Sequence, residues 1–444
     1  MSDIVPKLEV SNVRRFKPYP AYKPSGVEWL GDVPEHWEVK RGRFCMCVNP
    51  RVERLHGLSV EDEVSFVPME ALGEYGGLDL TQTRLVGEVG SGYTEFQDGD
   101  VIVAKITPCF ENGKGALASG LVNGVAFGTT ELHVLRQYPG LERRFLFYLT
   151  ISSPYRRTGE AEMYGAGGQK RVPPEFNKDF RTPMPPESEQ RRIADFLDRE
   201  TAKIDALIEK KQALIEKLKE KRSALISRMV TRGLPPDAAR AAGFDPHPQM
   251  KPSGADWLGE VPAHWDVKQL KWAIVFQRGH DLPTDEREEG NIPLVTSSGE
   301  SATHNVAMAK GPGIVTGRYG TIGEFYLVER DYWPLNTTLY SIDLRGNEPR
   351  FLQRMLTNLS PLFLLNAVKS AVPGVDRNDV HPVTTAVPPV LEQRAIADFL
   401  DRETAKIDAM ATKVAAVIQR LLEYRIAVIS AVVTGKIEVR GVVA

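Results

Sequence analysis

Cysteine is scarce. The three in 444 residues, Cys45, Cys47 and Cys109, cannot all pair, and none has the second CxxC or the His pair of a structural zinc site. Reduced thiols and no metal are therefore expected. No stretch approaches the ~18 consecutive apolar residues of a membrane-spanning helix. The opening MSDIVPKLEV has two acids and a proline where a secretory signal carries a basic start and an apolar run. A cytoplasmic protein, away from membranes, is expected. Excess charge is also lacking: 56 Lys and Arg stand against 58 Asp and Glu, so a face for nucleic acid must be local or completed by a partner.

Catalytic signatures are missing as well. A DNA amino-methyltransferase carries Asp/Asn-Pro-Pro-aromatic, but the Pro-Pro pairs here sit in Val172-Pro-Pro-Glu, Met184-Pro-Pro-Glu, Leu234-Pro-Pro-Asp and Val387-Pro-Pro-Val. There is no GxxxxGK[ST] phosphate loop. Gly165-Ala-Gly-Gly and Gly311-Pro-Gly do not complete GxGxxG, and the eight histidines show no HExxH spacing. With no nucleophile, metal or cofactor signature, a non-catalytic chain is expected. The remaining composition, 42% hydrophobic and 26% charged, is that of a folded protein of two to four domains.

What the sequence does have is duplication, the strongest single guide to architecture. Residues 23–40 read KPSGVEWLGDVPEHWEVK and residues 251–268 read KPSGADWLGEVPAHWDVK, agreeing at 13 of 18 positions 228 residues apart. Residues 189–205 read EQRRIADFLDRETAKID and residues 392–408 read EQRAIADFLDRETAKID, agreeing at 16 of 17 positions 203 residues apart. A common opening and a common closing segment thus enclose two inserts of different length and sequence. The divisions expected are a tail (1–22), a first domain (23–188), a helix (189–232), a linker (233–250), a second domain (251–391), a helix (392–434) and a tail (435–444).

After Pro185-Pro186 and Pro388-Pro389 neither closing segment contains Pro or Gly until Gly233 and Gly435. Leu197, Ile204, Leu207, Ile208, Leu214, Ile215, Leu218, Leu225 and Met229 follow a three-and-four spacing, and the positions 203 later are all apolar too. About 40 helical residues make a rod of roughly 60 Å, too long for one small domain to bury. The two copies are therefore expected to pair as an antiparallel coiled coil. The inserts read as α+β domains: runs such as Val101-Ile-Val-Ala, Leu132-His-Val-Leu, Gly313-Ile-Val-Thr and Thr338-Leu-Tyr-Ser-Ile predict strands, and 145–149 and 351–356 predict helices. Turn residues in 233–250, with GLPPD and DPHP, predict a linker.

Each insert also carries hydrogen-bond donors beside glycine. Lys105-Ile-Thr107-Pro follows one buried run and Arg318-Tyr319-Gly-Thr the other. Gly168-Gln169-Lys170-Arg171 and Gly374-Val-Asp-Arg377-Asn378 precede the two Pro-Pro exits. Arg and Lys donate to guanine, and Asn and Gln pair bidentately with adenine, so Lys105, Thr107, Gln169, Lys170, Arg171, Arg318, Tyr319, Arg377 and Asn378 are the candidate DNA contacts. Taken singly, each is equally readable as a solvated loop residue.

Together these features resemble the specificity subunits of type I restriction-modification systems. The resemblance rests on the Gly-Val-Glu-Trp-Leu-Gly and Val-Pro-Glu-His-Trp-Glu-Val opening at 26–39 and on the Pro-Pro exits leading to Glu-Gln-x-x-Ile-Ala-x-Phe-Leu-Asp at 185–198 and 388–401. Gly317-Arg-Tyr-Gly-Thr-Ile-Gly with Trp333-Pro-Leu-Asn-Thr-Thr, and Gly99-Asp-Val-Ile-Val-Ala-Lys-Ile-Thr-Pro with Glu111-Asn-Gly-Lys, are similar to two kinds of target-recognition domain. The resemblance implies two target-recognition domains reading the halves of an interrupted double-stranded DNA site, with two antiparallel helices as spacer. It implies two methyltransferase subunits using S-adenosylmethionine, and restriction subunits using ATP and Mg, as partners. Two other readings stay open from the residues alone: a duplicated adaptor whose inserts hold proteins, and a stand-alone DNA-modifying enzyme with unfamiliar motifs.

Overall fold

A computed structural model describes residues 16–89, 92–166, 168–319, 321–367 and 374–439. Residues 1–15 and 440–444 of the expected tails, and Gly167 and Gly320 of the glycine-rich loops, lie outside the described residues. The helices described are α1 (Arg143–Ile151), α2 (Ser153–Ala161), α3 (Pro174–Asp179), α4 (Glu187–Arg232), α5 (Pro236–Ala241), α6 (Pro349–Ala367), α7 (Arg377–Val380) and α8 (Val390–Val433). No helix among these is long and apolar enough to cross a membrane.

The chain divides into two compact units, Met1–Lys210 with Ala416–Ala444, and Lys211–Ala415. Each unit therefore takes one insert, one half of α4 and one half of α8. In the first unit an antiparallel sheet orders Met46–Val48, Leu132–Gln137, Val101–Ala104 and Gly115–Leu117. The second unit repeats it with Val275–Arg278, Thr338–Asp343, Gly313–Gly317 and Phe325–Val328. The central strands, Val101-Ile-Val-Ala and Gly313-Ile-Val-Thr-Gly, are buried along their whole length, and a fully buried strand reads as a continuous rather than alternating apolar run. A second sheet, of four strands in the first unit and three in the second, contains one parallel pair in each, Glu63–Val67 with Val125–Gly128 and Ile292–Thr296 with Trp333–Pro334. Two inserts with little common sequence thus share one strand plan.

The repeated segments prove to be the frame around that plan. Tyr22–Pro24 pairs with Asp32–Pro34, and Met250–Pro252 pairs with Glu260–Pro262 in the same register. Trp37 and Trp265 are fully buried behind these hairpins. His36 Nε2 lies 2.8 Å from Glu189, and His264 Nε2 lies 2.8 Å from Glu392, so the opening motif of each half grips its closing motif. Burial by itself would raise the pKa of Glu189, but hydrogen bonds from Tyr19, His36 and Trp37 outweigh it and hold the carboxyl below its ordinary value. Gln190 and Gln393 act alike: each side-chain oxygen accepts a backbone N–H, of Glu142 or Glu348, at 2.8 Å, and each amide donates to the first carbonyl of its Pro-Pro exit at 2.8 Å. These buried, satisfied groups give a physical cause for near-identical sequence at 189–205 and 392–408.

Ile193, Phe196 and Leu197 near the start of α4 share a core with Val428, Ile429, Val432 and Val433 near the end of α8 in the first unit. In the second unit Ile226, Met229 and Val230 near the end of α4 share a core with Ile396, Ala397 and Leu400 near the start of α8. The helices pair antiparallel, as the duplicated stripe implied. The seam is narrower than that stripe. From 204 to 225 on α4 the buried and half-buried positions run 204, 208, 211, 215, 218, 222 and 225, a heptad spacing that recurs on α8 at 407, 411, 414, 418 and 421. Leu207, Leu214, Met410 and Val417 flank it and stay exposed, because a seam with a period of 3.5 residues covers two positions in seven.

Two expectations need correction. The 233–250 linker contains α5: Pro236 supplies a preset φ at the first turn, Asp237 follows, and Ala239 is buried. The C-terminal stretch from Gly435 is more than a tail, since Ile437 and Val439 are buried in the core of the first unit and the Glu438 N–H donates to Lys17 O at 2.9 Å.

Candidate nucleic-acid interface

In the first unit the buried strand Val101–Ala104 runs directly into Lys105, and the chain from Gln169 to Val172 folds back onto it. Thr107 N–H donates to Lys170 O at 3.0 Å, and Val172 N–H donates to Lys105 O at 2.8 Å. Arg171 and Tyr164 exchange both backbone hydrogen bonds, at 2.9 and 3.2 Å. Lys105, Thr107, Gln169, Lys170 and Arg171, chosen from two distant stretches, are therefore brought together. Gln169 and Lys170 are exposed and Lys105 is half-buried. Arg171 differs, because its guanidinium forks onto Glu131 at 2.8 and 2.9 Å. That hydrogen bonding holds the Glu131 carboxyl below its usual range and raises the guanidinium pKa.

His133 underlies this loop pair. Its Nε2 lies 2.8 Å from Val172 O, and since a carbonyl only accepts, Nε2 carries the proton. Burial pushes its pKa down to about 4, opposed by that hydrogen bond, so the ring is neutral at pH 7.

The second unit repeats the clamp. Gly313–Gly317 runs into Arg318, and Val375 N–H donates to Arg318 O at 3.0 Å. Val375 follows Val172 by the same 203 positions that separate Glu392 from Glu189, so the closing frame begins at these valines. The Arg318 guanidinium lies 5.2 Å over the Tyr319 ring, with Nη1 3.4 Å from Asn336 O, and its buried Nε has no hydrogen-bond partner among the described residues. Tyr319 is exposed. A Cβ at Gly374 would stand 2.7 Å from the Tyr319 ring, so the missing side chain is what lets the two loops close.

Arg377 and Asn378 do not fall where the sequence comparison placed them. In the shared register their counterparts are Pro174 and Glu175, on α3, and they open α7 instead of forming the loop. Asp376 caps that helix, accepting from Asn378 N–H at 2.6 Å while its own N–H donates to Asp379 at 2.9 Å. Both side chains are exposed. Reasoning from donors missed Tyr164, an exposed aromatic bound to Arg171; its signal was the Tyr-Gly pair at 164–165, matching Tyr-Gly at 319–320. Each unit therefore presents a cation and an exposed tyrosine on a loop pair fixed by backbone hydrogen bonds. Such a surface can donate to base edges and stack. Among the described residues there is no cluster of three His, Cys, Asp or Glu able to hold a metal.

Comparison with solved structures defines the class of fold. Over 90% of this chain and 98% of the other, it is similar at a TM-score of 0.65 and 18% identity to a chain from a structure of complex assembly and conformational transition of the type I R-M system. It is similar at 0.51 and 17% identity to the HsdS subunit from Thermoanaerobacter tengcongensis, over 91% of this chain and 98% of that one. The fold is HsdS-like.

Sequence similarity points to particular relatives. The chain is 41% identical over 179 residues to the type I restriction enzyme EcoEI specificity subunit of Escherichia coli, a match covering 40% of this chain and 30% of that subunit. It is 38% identical over 188 residues to the EcoAI specificity subunit, covering 42% and 31%. The matched segments thus span under a third of those relatives. No family model matches the chain.

Proposed function

We propose that this chain is the DNA-specificity subunit of a type I restriction-modification complex. Residues 23–188 and 251–391 each read one half of an interrupted double-stranded site, and the helices 189–232 and 392–434 act as spacer. The observation that carries this reading is the repeated clamp, Val172 on Lys105 and Val375 on Arg318, which presents different side chains on one scaffold. A common frame with divergent loops is what two readers of unlike half-sites require. Base contacts are assigned to Lys105, Thr107, Gln169, Lys170 and Tyr164 in one unit and to Arg318, Tyr319, Arg377 and Asn378 in the other. Arg171, committed to Glu131, orders its loop. The near-neutral charge fits a reader whose phosphate contacts are shared with partners. Methyl transfer with S-adenosylmethionine belongs to two methyltransferase subunits, and ATP- and Mg-dependent cleavage to restriction subunits, in the cytoplasm.

A randomised DNA pool selected on the chain with its methyltransferase subunit, and on each protein alone, tests this. A two-part motif with an unread gap is expected from the complex, and no methyl transfer from the chain alone. Selection that ignores the chain, or methyl transfer that follows it through purification, contradicts the proposal.

A further inference from the structure

A further cation and tyrosine stand together in the first unit, outside the loop pair. Arg84, on the edge strand Thr83–Leu85, sets its guanidinium 5.1 Å over the Phe66 ring, and Tyr93 meets the same ring edge-on at 5.2 Å. Phe66 is 9% exposed, whereas Arg84 is exposed and Tyr93 is 45% exposed. A buried ring thus seats two surface side chains and restricts both. Among the described residues no carboxylate pairs with Arg84.

Strand pairing places this ledge beside the reading loops. Thr94 is in register with Gly128, and Thr129 N–H donates to Val67 O at 3.2 Å, so Tyr93, Phe66 and Thr129 share one end of the second sheet. Two residues on, Glu131 O accepts from Lys105 N–H at 2.9 Å, and the Glu131 carboxylate holds Arg171. Phe66 N–H donates to Gln82 O at 2.9 Å, which brings the exposed residues Thr81 to Thr83 to the same end. An arginine, a tyrosine hydroxyl and threonine hydroxyls are the donors that DNA phosphates receive. The acids alongside are engaged or distant: Asp79 accepts from Thr81 N–H at 3.0 Å, Glu95 accepts from Val52 N–H at 3.2 Å, and Glu63 pairs with Leu85 at the far end of the strand.

The second unit differs at this place. Leu335 N–H donates to Val295 O at 2.9 Å as Thr129 N–H does to Val67 O, which aligns the two sheets. In that alignment the cross-strand neighbour of Val64 is Arg84, and the neighbour of Ile292 is His304. His304 is buried, edge-on to the Trp333 ring at 5.1 Å, where Arg84 is exposed.

We infer that Arg84, seated on Phe66 beside Tyr93, binds a DNA phosphate flanking the half-site read by the first unit, and that the second sheet of the other unit makes no matching contact. The inference rests on the functional reading above. Continuity with the loop pair sets the occupant, because a duplex engaged by Lys105 and Lys170 continues past this end of the sheet. Holding the guanidinium on a buried ring lowers the side-chain entropy that a phosphate contact would otherwise cost.

The test is DNA binding by the full chain with its methyltransferase subunit, across a range of salt concentrations, for wild type, Arg84→Ala and Arg84→Lys. Circular dichroism checks folding, and native mass spectrometry checks that the methyltransferase subunit stays bound. Arg84→Ala should weaken binding to every sequence equally, by about eightfold at ~0.1 M salt, and lower the salt slope by about 0.9, the share of one phosphate. Arg84→Lys, which keeps the charge, should keep most of both. Phosphate-ethylation interference on the wild-type complex should mark a phosphate outside the half-site that alanine at Lys105 and Lys170 relaxes, and that mark should vanish in Arg84→Ala. Unchanged affinity and slope in an Arg84→Ala complex that still selects its site would overturn the inference and leave the functional reading intact. Altered preference at one base would overturn it in favour of a base contact, and loss of the methyltransferase subunit in favour of a protein surface. A wild-type complex without sequence preference removes the functional reading, and the inference with it.

Discussion

Two ion pairs in the helix seam are related by the duplication but differ in burial, so the same substitution should cost different amounts at each. Arg425 bonds Asp205 at 2.9 and 3.3 Å in the first unit, and Arg222 bonds Asp408 at 3.0 Å in the second. Positions 222 and 425, like 205 and 408, are 203 residues apart. The Arg425 side chain is only 10% exposed, with the Tyr75 ring 5.9 Å away, and its Nη1 has no hydrogen-bond partner among the described residues. Arg222 is 33% exposed and Asp408 55%. Removing one member of a fully buried pair costs about 3–5 kcal/mol, because the other charge is left dry. Asp205 is 51% exposed, so water can reach part of the gap and about 2 kcal/mol is expected for Asp205→Ala. Asp408→Ala, in a solvated pair, should cost about 0.2–1 kcal/mol. Urea unfolding of the full chain measures both, with an unchanged m-value as the control for compactness. Adding Arg425→Met to Asp205→Ala should restore part of the loss, since the stranded charge goes with it. Equal costs at the two sites, or a larger one for Asp408→Ala, would refute the argument from burial.

Alanine at Lys105 and Lys170, or at Arg318 and Arg377, should relax specificity in one half-site only; each lost base contact is worth about 1–3 kcal/mol, measured by titration with single-base variants of the site. A uniform loss across all sequences would reassign that residue to phosphate. Stability of the first unit should fall by up to roughly 3 kcal/mol between pH 6.5 and pH 4, because the unfolded chain protonates His133 from about 6.5 downward while the folded ring resists until about 4. His133→Gln, which can still donate to Val172 O, should remove that share of the acid sensitivity; identical pH profiles for variant and wild type would show that the ring is not held neutral.

Much of the architecture was legible because the frame is made of contacts that demand identity. His36 must reach Glu189 and His264 must reach Glu392 with one geometry, so both motifs survive duplication almost unchanged. Continuous apolar runs announced the central strands, which have no polar face to interrupt them. The helical stripe was read too wide, because hydrophobicity does not distinguish Leu207, beside the seam, from Ile204, in it. The donor loops were picked out one by one as comparable between the halves; their packing side by side within each unit was not read from the sequence, and the register was misplaced. Gly374-Val375 stands where Arg171-Val172 does, and nothing local marks Arg377 as the start of a helix until Asp376 is seen to cap it. Helix α5 went unseen because its two prolines read as turn residues as readily as a helix start.

The central claim is that two independent readers are carried on one frame. Long-read sequencing that maps methylated adenines tests it most directly, in cells carrying the chain with its methyltransferase subunit, before and after residues 41–184 are replaced by the equivalent insert of a related subunit. An interrupted motif is expected from the native chain, and the exchange should rewrite one half of it while the other half stays the same. A change in both halves, or a motif that does not follow the insert at all, would contradict the account.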